Sequence, residues 1–277
     1  MTNQILTDLS ARYPQLRLPI QAGLRDTALY KNAVLRGQPV EAEPDFFTSP
    51  EDSFTVTETP VGPAEVLYLA DRRDFEHALR ALAYRCEPAE ILPSVGASTI
   101  RGLINWEKIN RHKTEYLLSG GADWPAEFKR FTADKSNYID TLILLSGGEY
   151  SAVPAGELGL SEAEWRGLSL TIRKYHELTH FICRGLRPED VDAIRDEIIA
   201  DMIGLVAAFG RYDAALARRF LGIDGGSCRP GGRLAHYVTP EALEEAAERA
   251  RALTEEYAGK IEPLPKTDPI GLLTQVF

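Results

Sequence analysis

The residues of this chain best suited to chemistry lie in one string, His176-Glu177-Leu178-Thr179-His180. On a helix, positions four apart share a face, so both imidazoles can reach a single metal ion. Glu177 sits beside them, where a carboxylate can take a proton from a metal-activated water. Two surface histidines on a solvated helix would give the same five letters. The surrounding elements decide between these readings.

Those elements read as helices. Ser161 and Glu164 have the form of a capping box, with Ser161 as N-cap. Trp165, Leu168, Ile172, Tyr175, Thr179 and Ile182 then recur at spacings of three and four, an apolar stripe of helical period. Gly185 is expected to end this helix as a C′ residue, and Pro188 to open the next one after a short turn. The second helix is predicted to run to Phe209 and stop at Gly210. It sets Glu197 and Asp201 four apart on one face, with Ile194, Ile198, Met202 and Leu205 on its apolar side. A solvated acidic face would look similar. The mostly apolar run from Ile198 to Gly204 instead implies that Asp201 is partly buried and needs a partner.

An H-E-x-x-H string followed by E-x-x-x-D on the next helix resembles the gluzincin (thermolysin-like) zinc metallopeptidases. The resemblance covers roughly residues 145–210, and Asp201-x-x-Gly204 extends it. It implies that His176, His180 and Glu197 bind zinc, that Glu177 is the general base and that Asp201 holds His176. The rivals for the third ligand are Asp196, about 100° round the helix from Glu197, and Asp192 one turn earlier. Only Glu197 has an aspartate four residues on. Metzincins place a third histidine six residues after the string, where this chain has Leu186, and that class is excluded.

The resemblance also implies an oxyanion donor downstream of Glu197. His236 and Tyr237 are the candidates, with Arg233 a third choice; the same residues also read as a loop histidine and an apolar tyrosine leading into the last helix. Thr141–Leu145 is an apolar run that reads as a buried strand, broken by Ser146-Gly147-Gly148. Glu149–Pro154, containing Tyr150, Ser151 and Ala152, is either a connecting loop or an edge strand. As an edge strand it would pair with extended substrate in the manner of gluzincins.

Composition narrows the class. A net charge of −10 and a pI near 5.1 argue against nucleic acid or anionic membrane as the main partner. No apolar run reaches the ~18 residues of a membrane span. The N-terminal residues lack the pattern of a secretory signal, and Cys86, Cys183 and Cys228 are odd in number and widely spaced, so a reduced, cytoplasmic setting is expected. Cys183, three residues beyond His180, reads as a small buried apolar residue.

Elsewhere, Ser53–Thr59 and Val66–Leu69 read as strands. Helices are expected for 72–85 after an Asp71 cap, for 99–119, for 212–221 and from Thr239-Pro240-Glu241 to about Ala258. Residues 222–232 read as a Gly-rich loop that could form a lip over the site. The expected fold is α+β and zincin-like. A small mixed sheet would pack on the motif helix in an N-terminal lobe (1–183), followed by a mainly helical C-terminal lobe (184–277) that carries the third ligand. Two functional classes follow. One is a zinc-dependent hydrolase, most simply a metallopeptidase acting on a peptide or protein. The other is a zincin-fold protein whose metal is structural or whose cleft only binds; a third option is hydrolysis of a non-peptide amide. Glu177 separates the first two, because a binding-only site has no use for it.

Overall fold

The computed structural model describes residues 4–42, 46–47, 49–189, 192–224, 227–229 and 232–276. The fold is α+β, 57% helical, with a four-stranded mixed sheet. The chain divides into two compact units, the first made of residues 1–55, 65–91 and 98–146 and the second of 56–64, 92–97 and 147–277. None of the helices among the described residues is long and apolar enough to cross a membrane.

The first unit carries nearly all of the sheet, in the order β1 (Ser53–Thr57), β2 (Ala64–Leu69), β4 (Ile139–Ser146), β3 (Ala97–Ile104). Strands β2 and β4 pair in parallel from Glu65↔Leu142 to Leu69↔Ser146. The predicted strand at 141–145 is β4, and Leu142–Leu145 are all buried, as an apolar run with both faces covered requires. Among its described residues this unit has the α-helices α1 (Gln4–Arg12), the one-turn α2 (Ala28–Tyr30), α3 (Arg72–Leu82), α4 (Trp106–Leu118) and α5 (Trp124–Phe131). Asp71 caps α3 as expected, its side chain accepting from Arg73 N–H. That helix stops at Leu82, before Arg85 and Cys86, whose φ values of 56° and 63° are left-handed. The expected helix 99–119 is corrected to a strand followed by a helix. Ala97–Ile104 is extended, with Gly102 at φ 78°, and Asn105 opens α4 by accepting from Lys108 N–H.

The second unit is helical: α6 (Glu162–Leu186), α7 (Ala193–Phe209), α8 (Ala214–Phe220), α9 (Leu243–Ile261) and α10 (Pro269–Val276). The motif helix α6 therefore groups with the helices that follow it, and residue 183 lies within it. The capping box of Ser161 and Glu164 is fully formed. Gly185 is not the C′ residue: α6 continues through Leu186 and Arg187 caps it. Its lack of a side chain serves packing instead, since a Cβ there would lie 2.9 Å from Val61 Cβ. Helix α7 starts at Ala193 rather than Pro188, with Asp192 as N-cap accepting from Arg195 N–H; residues 190 and 191 lie outside the described residues.

Helix α7 is buried almost all round, with Ile194, Ile198, Ile199, Met202, Ile203 and Val206 in one core against α9 and α10. It packs closely on α6 at Gly204, where a Cβ would stand 2.9 Å from the backbone oxygen of Ile172. A backbone atom cannot swing aside, so Gly204→Ala should push apart the two helices that carry the candidate ligands. The expected cost is about 1–3 kcal/mol in denaturant unfolding. An unchanged midpoint would show that the crossing is softer than its geometry implies. The expected helix at 239–258 begins as a 3-10 turn (Pro240–Ala242) and continues as α9; Thr239 makes no side-chain cap. Within 222–232, residues 225, 226, 230 and 231 lie outside the described residues. The described part is a short antiparallel pair, β5 (Ile223–Asp224) with β6 (Ser227–Cys228), rather than a plain loop.

Candidate metal centre

Helix α6 presents His176 and His180 on one face, and α7 brings Glu197 against them. The two Nε2 atoms are 3.0 Å apart. His180 Nε2 lies 3.2 Å from Glu197 Oε1, and His176 Nε2 lies 3.5 Å from Glu197 Oε2. Donors held ~2.0–2.1 Å from one tetrahedral ion are roughly 3.3 Å from one another, so this spacing suits a shared cation. Glu197 Oε2 is buried without a hydrogen-bond partner among the described residues, with Arg233 Nη2 standing off at 3.8 Å, beyond hydrogen-bond reach. Among the described residues these three form the group able to hold a metal ion, and the rivals Asp192 and Asp196 are not in it. Asp192 caps α7 and pairs with Arg249, while Asp196 lies by Arg195. Cys183 is packed in the apolar core.

Behind His176 lies a buried polar cluster. Asp201, fully buried, has Oδ1 at 3.0 Å from His176 Nδ1. Tyr150 donates its hydroxyl to the same oxygen at 2.6 Å. With that proton committed, the Tyr150 oxygen accepts from Arg233 Nη1 at 2.8 Å and lies 3.0 Å from His176 Nδ1. Arg233 Nη2 donates to Asp201 Oδ2, and Nη1 also donates to Ser151 Oγ at 3.1 Å. An Nδ1–H directed at Asp201 leaves the Nε2 lone pair of His176 facing His180 and Glu197, the tautomer a metal ligand needs.

The electrostatics agree with this arrangement. Burial by itself would raise the Glu197 carboxyl, but His176, His180 and Arg233 outweigh it and hold it below the ordinary carboxylate range. Asp201 is likewise lowered, burial being overcome by Arg233, His176 and Tyr150. For His180, burial opposes the charge, yet Glu197, Glu177 and Asp196 raise its pKa, so in the metal-free chain a cation competes with a proton there.

His176 and Glu197 open on a cavity of about 320 Å³ whose walls include Glu177, Tyr150, Ser151, Ala152, His236 and Tyr237. Glu177 is mostly buried, next to His176 on α6. The segment 149–154 is not an edge strand. Tyr150–Ala152 form a 3-10 turn, with Ser151 and Ala152 left-handed at φ 51° and 55°, which strand pairing does not accommodate. The turn sends Tyr150 inward to Asp201 and His176. His236 ends a 3-10 turn (Arg233–His236) and is exposed, whereas Tyr237 is half-buried beside Glu197, and burial together with that carboxylate raises its hydroxyl pKa. Arg233, weighed from the sequence as an oxyanion donor, is tied to Asp201.

Sequence reasoning did not find Arg173. This buried arginine stands one turn before His176 and donates to the carbonyls of Gly148 (2.7 Å) and Glu149 (2.6 Å), which anchors the turn that carries Tyr150. A charged residue directly following Ile172 of the apolar stripe was the signal that could have found it.

Residues 2–267 match one protein family, described as a family of unknown function (DUF7005). No curated protein and no solved structure matches the chain.

Proposed function

The chain belongs to the DUF7005 family, a family of unknown function, and we propose that it is a zinc-dependent hydrolase, most simply a peptidase, with a gluzincin-like site. The observation that carries this reading is the close group of His176, His180 and Glu197, two of whose members, His176 and Glu197, line one cavity together with Glu177. Two imidazoles and one carboxylate are a donor set suited to Zn²⁺ with a position left for water, and the bound ion would polarise a carbonyl and lower the pKa of that water. Glu177 takes the proton of the attacking water and returns it to the leaving amine. Asp201, supported by Tyr150 and Arg233, keeps His176 in its ligating tautomer. Tyr237, at the cavity wall by Glu197, supplies the hydroxyl that steadies the developing oxyanion.

The reading is tested by metal content and turnover together. Purified protein should hold about one zinc per chain by elemental analysis, and His176→Ala or Glu197→Ala should abolish it. In the same preparations Tyr237→Phe should keep the metal and lower turnover of a peptide library roughly a hundredfold. Full zinc occupancy in Glu197→Ala would remove that residue from the ligand set. Normal turnover in Tyr237→Phe would move the oxyanion donor elsewhere.

A further inference from the structure

The cavity is basic for a chain of net charge −10: Arg173, Arg219, Arg229 and Arg233 line it, together with the carboxylates of Glu177 and Glu197. Their present partners differ in kind. Arg233 is committed to buried Asp201. Arg219, on α8, pairs with Glu157, which is exposed, and Arg229, just after β6, pairs with the exposed Asp224 at 3.1 Å. Solvent-exposed ion pairs of this sort contribute little and exchange at small cost. Arg219 and Arg233 also each keep a buried Nε–H with no acceptor among the described residues, and a buried donor without an acceptor is costly. Two guanidinium groups therefore converge on the cavity from α8 and from the β5–β6 hairpin, each able to release a surface carboxylate for a better one.

We propose that the cavity takes a substrate bearing a carboxylate, held by Arg219 and Arg229 next to the His176/His180/Glu197 group. The proposal rests on reading this cavity as a substrate site of a hydrolase. Guanidinium is the side chain whose planar fork matches a carboxylate with two parallel hydrogen bonds, and a partly enclosed cavity strengthens such bonds relative to water. A peptide's C-terminal carboxylate and an acidic side chain share this chemistry.

Three matched N-acetyl hexapeptides separate the possibilities: one with a free C-terminus, one amidated, and one amidated with an internal glutamate. Hydrolysis is followed on the zinc-loaded protein, and binding is measured by calorimetry on zinc-loaded Glu177→Gln. At least one carboxylate peptide should show a KM and a Kd roughly tenfold below those of the neutral amide. Preference for the free terminus assigns the chain end, and preference for the internal glutamate assigns the side chain. Arg219→Gln and Arg229→Gln should each bring the ratio down towards one while the protein keeps its metal. If Arg219→Gln does not fold, Arg229→Gln, at a half-buried position, carries the test. Equal affinity for all three peptides, or a preference that survives both substitutions, overturns the proposal. Carboxylate-selective binding without cleavage of any peptide would fell the hydrolase reading and leave the subsite standing.

Discussion

Glu177→Gln is expected to bind zinc as the wild type does and to lose peptide hydrolysis by about three orders of magnitude. The amide has nearly the shape of the carboxylate, so the packing at this mostly buried position on α6 changes little. None of the three candidate ligands is altered, and metal content should stay at one per chain. The amide has no basic oxygen able to take a proton from water, and general-base catalysis of this kind contributes roughly 10²–10⁴ in rate. Elemental analysis and turnover on one preparation read both halves of the prediction. Equal turnover in wild type and variant would remove Glu177 from the mechanism, whatever the metal does.

The parts of this site written in local spacing were legible in the sequence. His176, Glu177 and His180 belong to a single helix, and its capping box fixes where that helix starts, so their shared face follows from period alone. Glu197 and Asp201 were legible for the same reason, being four apart on a helix too apolar to leave Asp201 in water. What failed was conformation set by distant contacts. Residues 149–154, with Pro154 suited to a sheet edge, read equally as an edge strand or a connecting loop. The pull of buried Asp201 on the Tyr150 hydroxyl, and of Arg173 on the Gly148 and Glu149 carbonyls, winds them into a turn instead. Arg233 could not be paired with Asp201 from sequence, since 32 residues separate them and the hairpin between reads as loop. Gly185 misled because glycine after an apolar stripe signals a helix end, whereas here it makes room for Val61.

Asp201→Asn should be the most damaging single change at the site for folding, and should also weaken zinc binding. Asp201 is fully buried and is the nearer of two anions facing Arg233, Glu197 Oε2 standing 3.8 Å away, so the substitution leaves a guanidinium in the interior against a neutral amide at its shorter contact. Removing one partner of a buried ion pair costs about 3–5 kcal/mol, a large share of the stability of a chain this size. A second effect falls on His176. An amide NH2 turned towards Nδ1 favours the proton on Nε2, the atom that faces His180 and Glu197, and so opposes the ligating tautomer. Loss of such a supporting carboxylate typically lowers metal affinity 10–100-fold. The double variant Asp201→Asn/Arg233→Gln separates the two effects. Without the cationic partner most of the lost stability should return in denaturant titration, while zinc affinity stays low because the tautomer is still wrong. Wild-type zinc affinity in either variant would show that Asp201 supports Arg233 alone and has no part in orienting His176.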